Sequence, residues 1–233
     1  MKIATSLIAA AAIAAPSLAF AADWTVDASH SNAQFKVGHM MVSSVRGEFT
    51  KLSGAVSYDP KNPEKIVINA IIDASSINTR EQKRDDHLKS PDFFDVAKHK
   101  NITFKSKSAK KVAAGKLDVA GDLTIKGVTK PVVLRVEGLD KEMKNPWGQT
   151  LLGGVATTKI NRKDFGLTWN QALEAGGVLV GEDVEITIDV ELTKKEAETA
   201  ADALLAQDGT LASYPSVKAR VSELFHQSAD ALN

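Results

Sequence analysis

The feature that most constrains this chain is a two-residue period. From about Ser31 to Leu192, apolar and polar residues alternate, most clearly where Val184, Ile186, Ile188, Val190 and Leu192 interleave with Glu185, Thr187, Asp189 and Glu191. Successive side chains of a strand point to opposite faces, so such a segment has one dry face and one wet face. The same signature recurs at Ala33, Phe35, Val37 and His39; at Ile66, Ile68, Ala70 and Ile72; at Leu117, Val119, Gly121, Leu123 and Ile125; and at Val132, Leu134 and Val136. Shorter versions lie at Ile102 and Phe104 and at Gly154, Ala156, Thr158 and Ile160. The pattern predicts about eight strands, near residues 31–40, 45–57, 65–74, 101–108, 116–125, 131–139, 150–160 and 182–192. Between Phe49 and Leu52 the apolar phase slips by one residue, which reads as a bulge or bend in one long strand. Sequential antiparallel strands with a single apolar face bury it by closing into a barrel or by folding into a sandwich, and the alternation itself does not choose.

Most links between these strands are short and rich in turn residues, such as Asp59-Pro60-Lys61-Asn62-Pro63, Ala113-Ala114-Gly115 and Lys126-Gly127. Two are far too long for hairpins, roughly 75–100 and 161–181, and loops of that size in a compact domain are functional or structured in their own right. If the strands run up and down in sequence order, both long loops fall at one end of the molecule, beside Met40-Met41-Val42-Ser43 and Lys126-Gly127-Val128. The turns around 58–64, 109–115 and 140–149 then close the other end.

The two termini follow different rules. Lys2, the small and apolar run from Leu7 to Ala15, and Ala19-Phe20-Ala21 form a secretory leader pattern, so residues 1–21 are expected to be a signal peptide cleaved after Ala21. No later segment has the ~20 apolar residues of a membrane helix, so the mature chain is expected to be soluble outside the cytoplasm, periplasmic or secreted. From Thr193 to Asn233 the pattern turns helical, first over Lys194–Ala206 and then along the stripe of Val217, Val221, Leu224 and Phe225 after Pro215. A helical hairpin packed on the outside of the strand domain of residues 22–192 is the plain expectation; a homodimer contact or transient contact with a membrane are the alternatives. The 29 Lys+Arg balance 29 Asp+Glu, which removes the usual electrostatic basis for nucleic-acid binding. Having no Cys, the chain has no disulfide, thiolate nucleophile or lipid anchor through Cys.

Longer motifs carry a family likeness. His30-Ser31, Phe35, Val37, His39-Met40, Val45-Arg46-Gly47 and Phe49 resemble the opening of the YceI-like family. The match continues through Ser76-Ile77-Asn78-Thr79, Lys83-Arg84-Asp85, His87-Leu88, Ser90-Pro91-Asp92-Phe93-Phe94-Asp95, Gly121-Asp122-Leu123-Thr124-Ile125, Gly127-Val128-Thr129, Pro131-Val132, Asn161-Arg162, Asp164-Phe165-Gly166-Leu167 and Trp169. It spans about residues 23–192. The resemblance implies an all-β, lipocalin-like antiparallel barrel of eight strands, exported to the periplasm, whose lumen holds a long isoprenoid chain. The helical extension lies outside the family pattern.

A lipid carrier needs an apolar lumen and a few polar groups at the rim. Phe35, Phe104, Leu123, Ile125, Leu134, Val136 and Ile186 are the lumen candidates, each with core packing as its plain alternative. Phe93 and Phe94 follow Ser90-Pro91 in the first long loop and can turn onto one apolar surface, closing the mouth or packing beside it; Phe165 and Trp169 in the second long loop can do the same. Arg80, Arg84 and His87 share a face if their segment is helical and could meet a phosphate or quinone-like head group. The rival role for Arg84 is pairing with Asp85 or Asp86 to brace the loop. Arg162, two residues before Asp164, carries the same two readings. No cofactor is expected: His30, His39, His87 and His99 lack a metal-ligand spacing. A periplasmic hydrolase or isomerase using His87 with Asp85 or Asp86 is the alternative to a non-catalytic carrier, and no nucleophile elbow or paired-carboxylate motif accompanies it.

Overall fold

The computed structural model describes residues 22–174 and 176–195. The leader assigned to residues 1–21 and the helical extension from residue 196 onward lie outside the described residues; Thr193 and Lys194, expected to begin that extension, instead end the last strand, where they pair with Leu151, Thr25 and Trp24. Twelve strands form one sheet. In the first half of the chain they are β1 (Ala22–Val26), β2 (Asn32–His39), β3 (Ser43–Phe49), β4 (Leu52–Tyr58), β5 (Val67–Asp73) and β6 (Ile77–Asn78). After helix α1 (Gln82–Lys89) follow β7 (Asn101–Ala113), β8 (Lys116–Ile125), β9 (Val128–Glu137), β10 (Glu142–Lys144), β11 (Thr150–Asn161) and β12 (Val180–Lys194).

The twelve segments fill eight positions of a closed antiparallel barrel. β1 and β2 lie end to end along the same edge of β12, β1 against Leu192–Lys194 and β2 against residues 180–189. On their far side the long strand expected at 45–57 is broken at Thr50-Lys51, so that β3 pairs with β2 and β4 with β1. The phase slip between Phe49 and Leu52 is that break. The ring runs on through β5, with β6 against β3, then β7, β8, β9 and β11. It closes where β11 pairs with β12 over eleven residues, from Leu151 opposite Thr193 to Asn161 opposite Asp183. Among the described residues, closure leaves no long apolar edge for another chain to pair with.

The inward set follows the alternation. On β8, Leu117, Val119, Gly121, Leu123 and Ile125 are all buried while the residues between them are partly exposed. Two glycines on inward positions make room for rings: a Cβ at Gly121 would stand 2.5 Å from the Phe104 ring, and one at Gly47 would stand 2.5 Å from the Phe35 ring. Both long loops and the 40–43 and 126–128 turns do fall at one end. Met40 N–H donates to Leu179 O, and Lys126 Nζ donates to Pro91 O. At the other end Trp24, Tyr58, Leu117 and Leu152 are buried, and Trp24 Nε1 donates to Tyr58 O.

Candidate functional site

The barrel is hollow between those ends. Its lumen holds a cavity of about 210 Å³ with an almost wholly apolar surface. One water needs roughly 10–15 Å³ of such space but also two to four polar partners, which these walls do not offer. Every barrel position contributes: Phe35 and Val56 from the bent strands, Ala70 and Ile72 from β5, Phe104 from β7, Leu123 and Ile125 from β8, Leu134 and Val136 from β9, Ala156 from β11 and Ile186 from β12. All seven lumen candidates therefore line it, as do Phe93 and Phe94.

The two long loops meet over one end of this cavity. α1 starts at Glu81, whose carboxylate accepts from Lys83 N–H, and it stops at Ser90 before Pro91. It is polar throughout except for Leu88, which reaches the cavity. The loop after α1 brings the Phe94 ring edge-on to Phe49 at 5.5 Å, and Phe49 sits 5.9 Å from Phe35. Phe93 packs on Trp169 at 5.4 Å, with the His87 ring edge-on to both, 5.1 Å from Phe93 and 4.9 Å from Trp169. This aromatic joint ties the first long loop to the second. Trp169 lies in it beside the cavity and not on its wall, and the fully buried Phe165 is packed behind the wall in the 3-10 turn Arg162–Phe165.

The expected head-group residues do not converge. Arg80 lies before the helix, so it shares no helical face with Arg84 and His87; it is exposed, with φ +63° and its N–H bonded to Asn78 Oδ1. Arg84 is spent on the loop, though not through a neighbouring carboxylate: its Nε donates to Thr79 Oγ1 and its Nη2 to Thr79 O, both at 2.8 Å. The buried Asp85 accepts from Thr79 N–H and Oγ1–H, so Thr79 joins the two. His87 Nε2 lies 2.9 Å from Asp92 Oδ2 on the surface.

Arg162 borders the cavity, yet its donors point away from the hydrocarbon space. Nε donates to Gly181 O, Nη1 to Leu167 O and Trp169 O, and Nη2 to Val180 O. Four of the five N–H groups are thus held by main-chain carbonyls of the second long loop and the start of β12. Asp164 is exposed and is not its partner, because the 3-10 turn sends the two side chains in different directions. Burial pushes the guanidinium pKa down, with only Glu182 opposing by charge. The signal for Leu88 was a lone apolar residue in a polar helix; the role of Arg162 had none, since nothing local in the sequence marks distant carbonyls as partners.

The YceI-like domain model matches residues 24–192. A UPF0312 protein of Staphylococcus aureus (strain N315) is 41% identical over 175 residues, covering 75% of this chain and 99% of that protein. The crystal structure of the Campylobacter jejuni YceI protein is 32% identical, covers 68% of this chain and 90% of its own, and superposes with a TM-score of 0.58. A polyisoprenoid binding domain from Saccharophagus degradans, 17% identical over 76% of this chain and 99% of its own, shares the fold with a TM-score of 0.54. The match runs from the first strand to the last of the closed ring, and on that ground the chain belongs to the YceI-like domain family.

Proposed function

We propose that the protein carries or stores an isoprenoid lipid, of polyprenyl or isoprenoid-quinone type, in the periplasm, by taking its hydrocarbon chain into the lumen without transforming it. The observation that carries this reading is the lumen cavity whose apolar surface is drawn from every position of the ring. The isoprenoid-holding barrel that the YceI-like resemblance implies supports it, as does the name given to the S. degradans domain. The leader pattern of residues 1–21 supports the compartment.

The cavity also sets a scale. A void of about 150 Å³ takes up benzene, so 210 Å³ seats on the order of eight or nine carbons, close to two prenyl units. Burying that many carbons gains about 7 kcal/mol at ~0.8 kcal/mol each, against an association cost of about 4–15 kcal/mol. Two units alone therefore bind weakly. Firm retention needs a longer chain, which either emerges between the loops or displaces Phe94 and Leu88. Phe35, Phe104, Leu123, Ile125, Leu134, Val136 and Ile186 would contact the chain along the barrel, and Phe93 and Phe94 would contact it at the mouth.

The test is native mass spectrometry of protein purified from its own host, with analysis of the organic extract. The expected result is a mass excess matched by a prenyl lipid that leaves the protein chemically unchanged. A homogeneous ligand-free mass with no prenyl lipid in the extract overturns the reading.

A further inference from the structure

The cavity mouth has a neighbour that the carrier reading does not use. The β2–β3 hairpin tip is Met40-Met41-Val42, with Met41 76% and Val42 85% exposed. Met40 and Met41 both have left-handed backbone, φ 52° and 60°, in a turn where Asn-Gly is the usual low-strain choice. Large apolar side chains thus stand in solvent at two consecutive strained positions. Beside them runs the segment 176–181, joined by Met40 N–H to Leu179 O and with the Met41 sulfur lying against Gly177. Val178 in this segment is also exposed.

Charge is excluded from both segments. Residues 37–45 and 176–181 contain no Lys, Arg, Asp or Glu, in a chain of which a quarter is charged. Val37 and Val180, at the roots of the two segments, line the cavity. The patch consists of about four side chains, Met40, Met41, Val42 and Val178, whereas a stable protein–protein interface takes roughly 20–30 residues a side. A projecting uncharged tip needs no shaped partner in a bilayer interface, which accepts apolar groups wherever they enter.

We propose that Met40, Met41 and Val42, with Val178, form a finger that inserts into a lipid bilayer surface and holds the mouth of the barrel against it, so that a chain passes between membrane and lumen without crossing water. The proposal rests on the carrier reading for its purpose, but the finger is tested by itself. The purified wild-type protein and M41D/V42D are floated with phosphatidylcholine vesicles and with vesicles containing phosphatidylglycerol, and retention of a polyprenyl alcohol delivered from detergent is measured in parallel. W147A serves as the control, since the 83% exposed Trp147 lies in the β10–β11 turn at the opposite end.

The expected result is flotation of the wild type on both vesicle types, at least a tenfold loss for M41D/V42D, no change for W147A, and equal polyprenol retention by all three. Wild-type protein that does not float, M41D/V42D that floats equally, loss confined to W147A, or flotation seen only on anionic vesicles and removed by salt would each overturn the finger. Flotation as expected without polyprenol retention would instead overturn the carrier reading.

Discussion

The void in the lumen has a thermodynamic consequence that Ala156→Phe isolates. Ala156 on β11 lies opposite Val136 of β9 and Ile188 of β12, and its methyl group faces the cavity. An unfilled apolar cavity costs about 24 cal/mol per Å³, so 210 Å³ represents on the order of 5 kcal/mol withheld from the empty barrel. That is comparable with the whole stability of many domains, about 5–15 kcal/mol. A phenyl ring occupies roughly 100–150 Å³ of such a void. Filling that much returns about 2.4–3.6 kcal/mol, from which packing strain of about 1–3 kcal/mol is subtracted. Taking the middle of each range, the net expectation for A156F is about 1 kcal/mol of added stability in the lipid-free protein, a rise of roughly 2–4 °C in Tm for a domain of this size. Lipid retention should fall at the same time, because the ring takes half or more of the space. Scanning calorimetry of delipidated wild type and A156F, with native mass spectrometry after exposure to a polyprenol, measures both. A variant that melts lower and still retains lipid would refute the reasoning, since the cavity would then be neither a cost nor the seat of binding.

Three other substitutions probe the frame around the cavity. R162M should cost about 3–5 kcal/mol, because four main-chain carbonyls lose their donors, and should speed amide exchange across residues 166–181; unchanged exchange there would show that the guanidinium does not hold the loop. W169A removes the ring that joins Phe93 and His87 across the two long loops, so release of a bound polyprenol in stopped flow should quicken at least tenfold with little change in uptake, and an unaltered release rate would refute a latch. The His30 pKa is held above the ordinary imidazole value, first by its hydrogen bond to Asp27 and then by the charges of Asp27 and Glu191. Its contribution is fully present below about pH 6.5 and is lost as pH rises through the raised folded value. Urea midpoints of H30Q between pH 6 and 8.5 should therefore fall less steeply than those of wild type, and parallel slopes would refute the coupling.

What was legible in the sequence follows from what alternation encodes. A period of two states which face of a strand is dry, so the sequence alone places Phe104, Leu123, Ile125 and Leu134 on one inner surface, where all four are buried. The slip at Phe49–Leu52 located the bend for the same reason. β1 is not legible although Trp24 and Val26 alternate with Asp23 and Thr25, because five residues offer too short a window. β10 carries no apolar face, and β6 is two residues long. The loops obey no period, so the packing of Trp169 on Phe93 depends on where two distant segments are delivered. Residues adjacent in sequence also mislead there: Arg162 and Asp164 read as a pair, yet desolvated carbonyls from residues 167–181 claim the guanidinium.

The spending of Arg84 and Arg162 on the protein's own oxygens bears on whether either can serve a head group. Arg84 is committed to both oxygens of Thr79, and its geometry is locked from the other side by Asp85. Were Arg84 a head-group ligand, R84A would weaken a prenyl diphosphate far more than the parent hydrocarbon, by the ~1.5–3 kcal/mol of a charge-assisted hydrogen bond. As a brace it acts through the segment that carries Leu88, Phe93 and Phe94, and these line the apolar cavity, where they would meet only the chain. R84A should therefore weaken both ligands by the same factor in competition binding. A selective loss of the diphosphate would return Arg84 to the head group. Equal loss is the expected outcome, and it would take Arg84 out of head-group recognition and leave it as a brace of the loop.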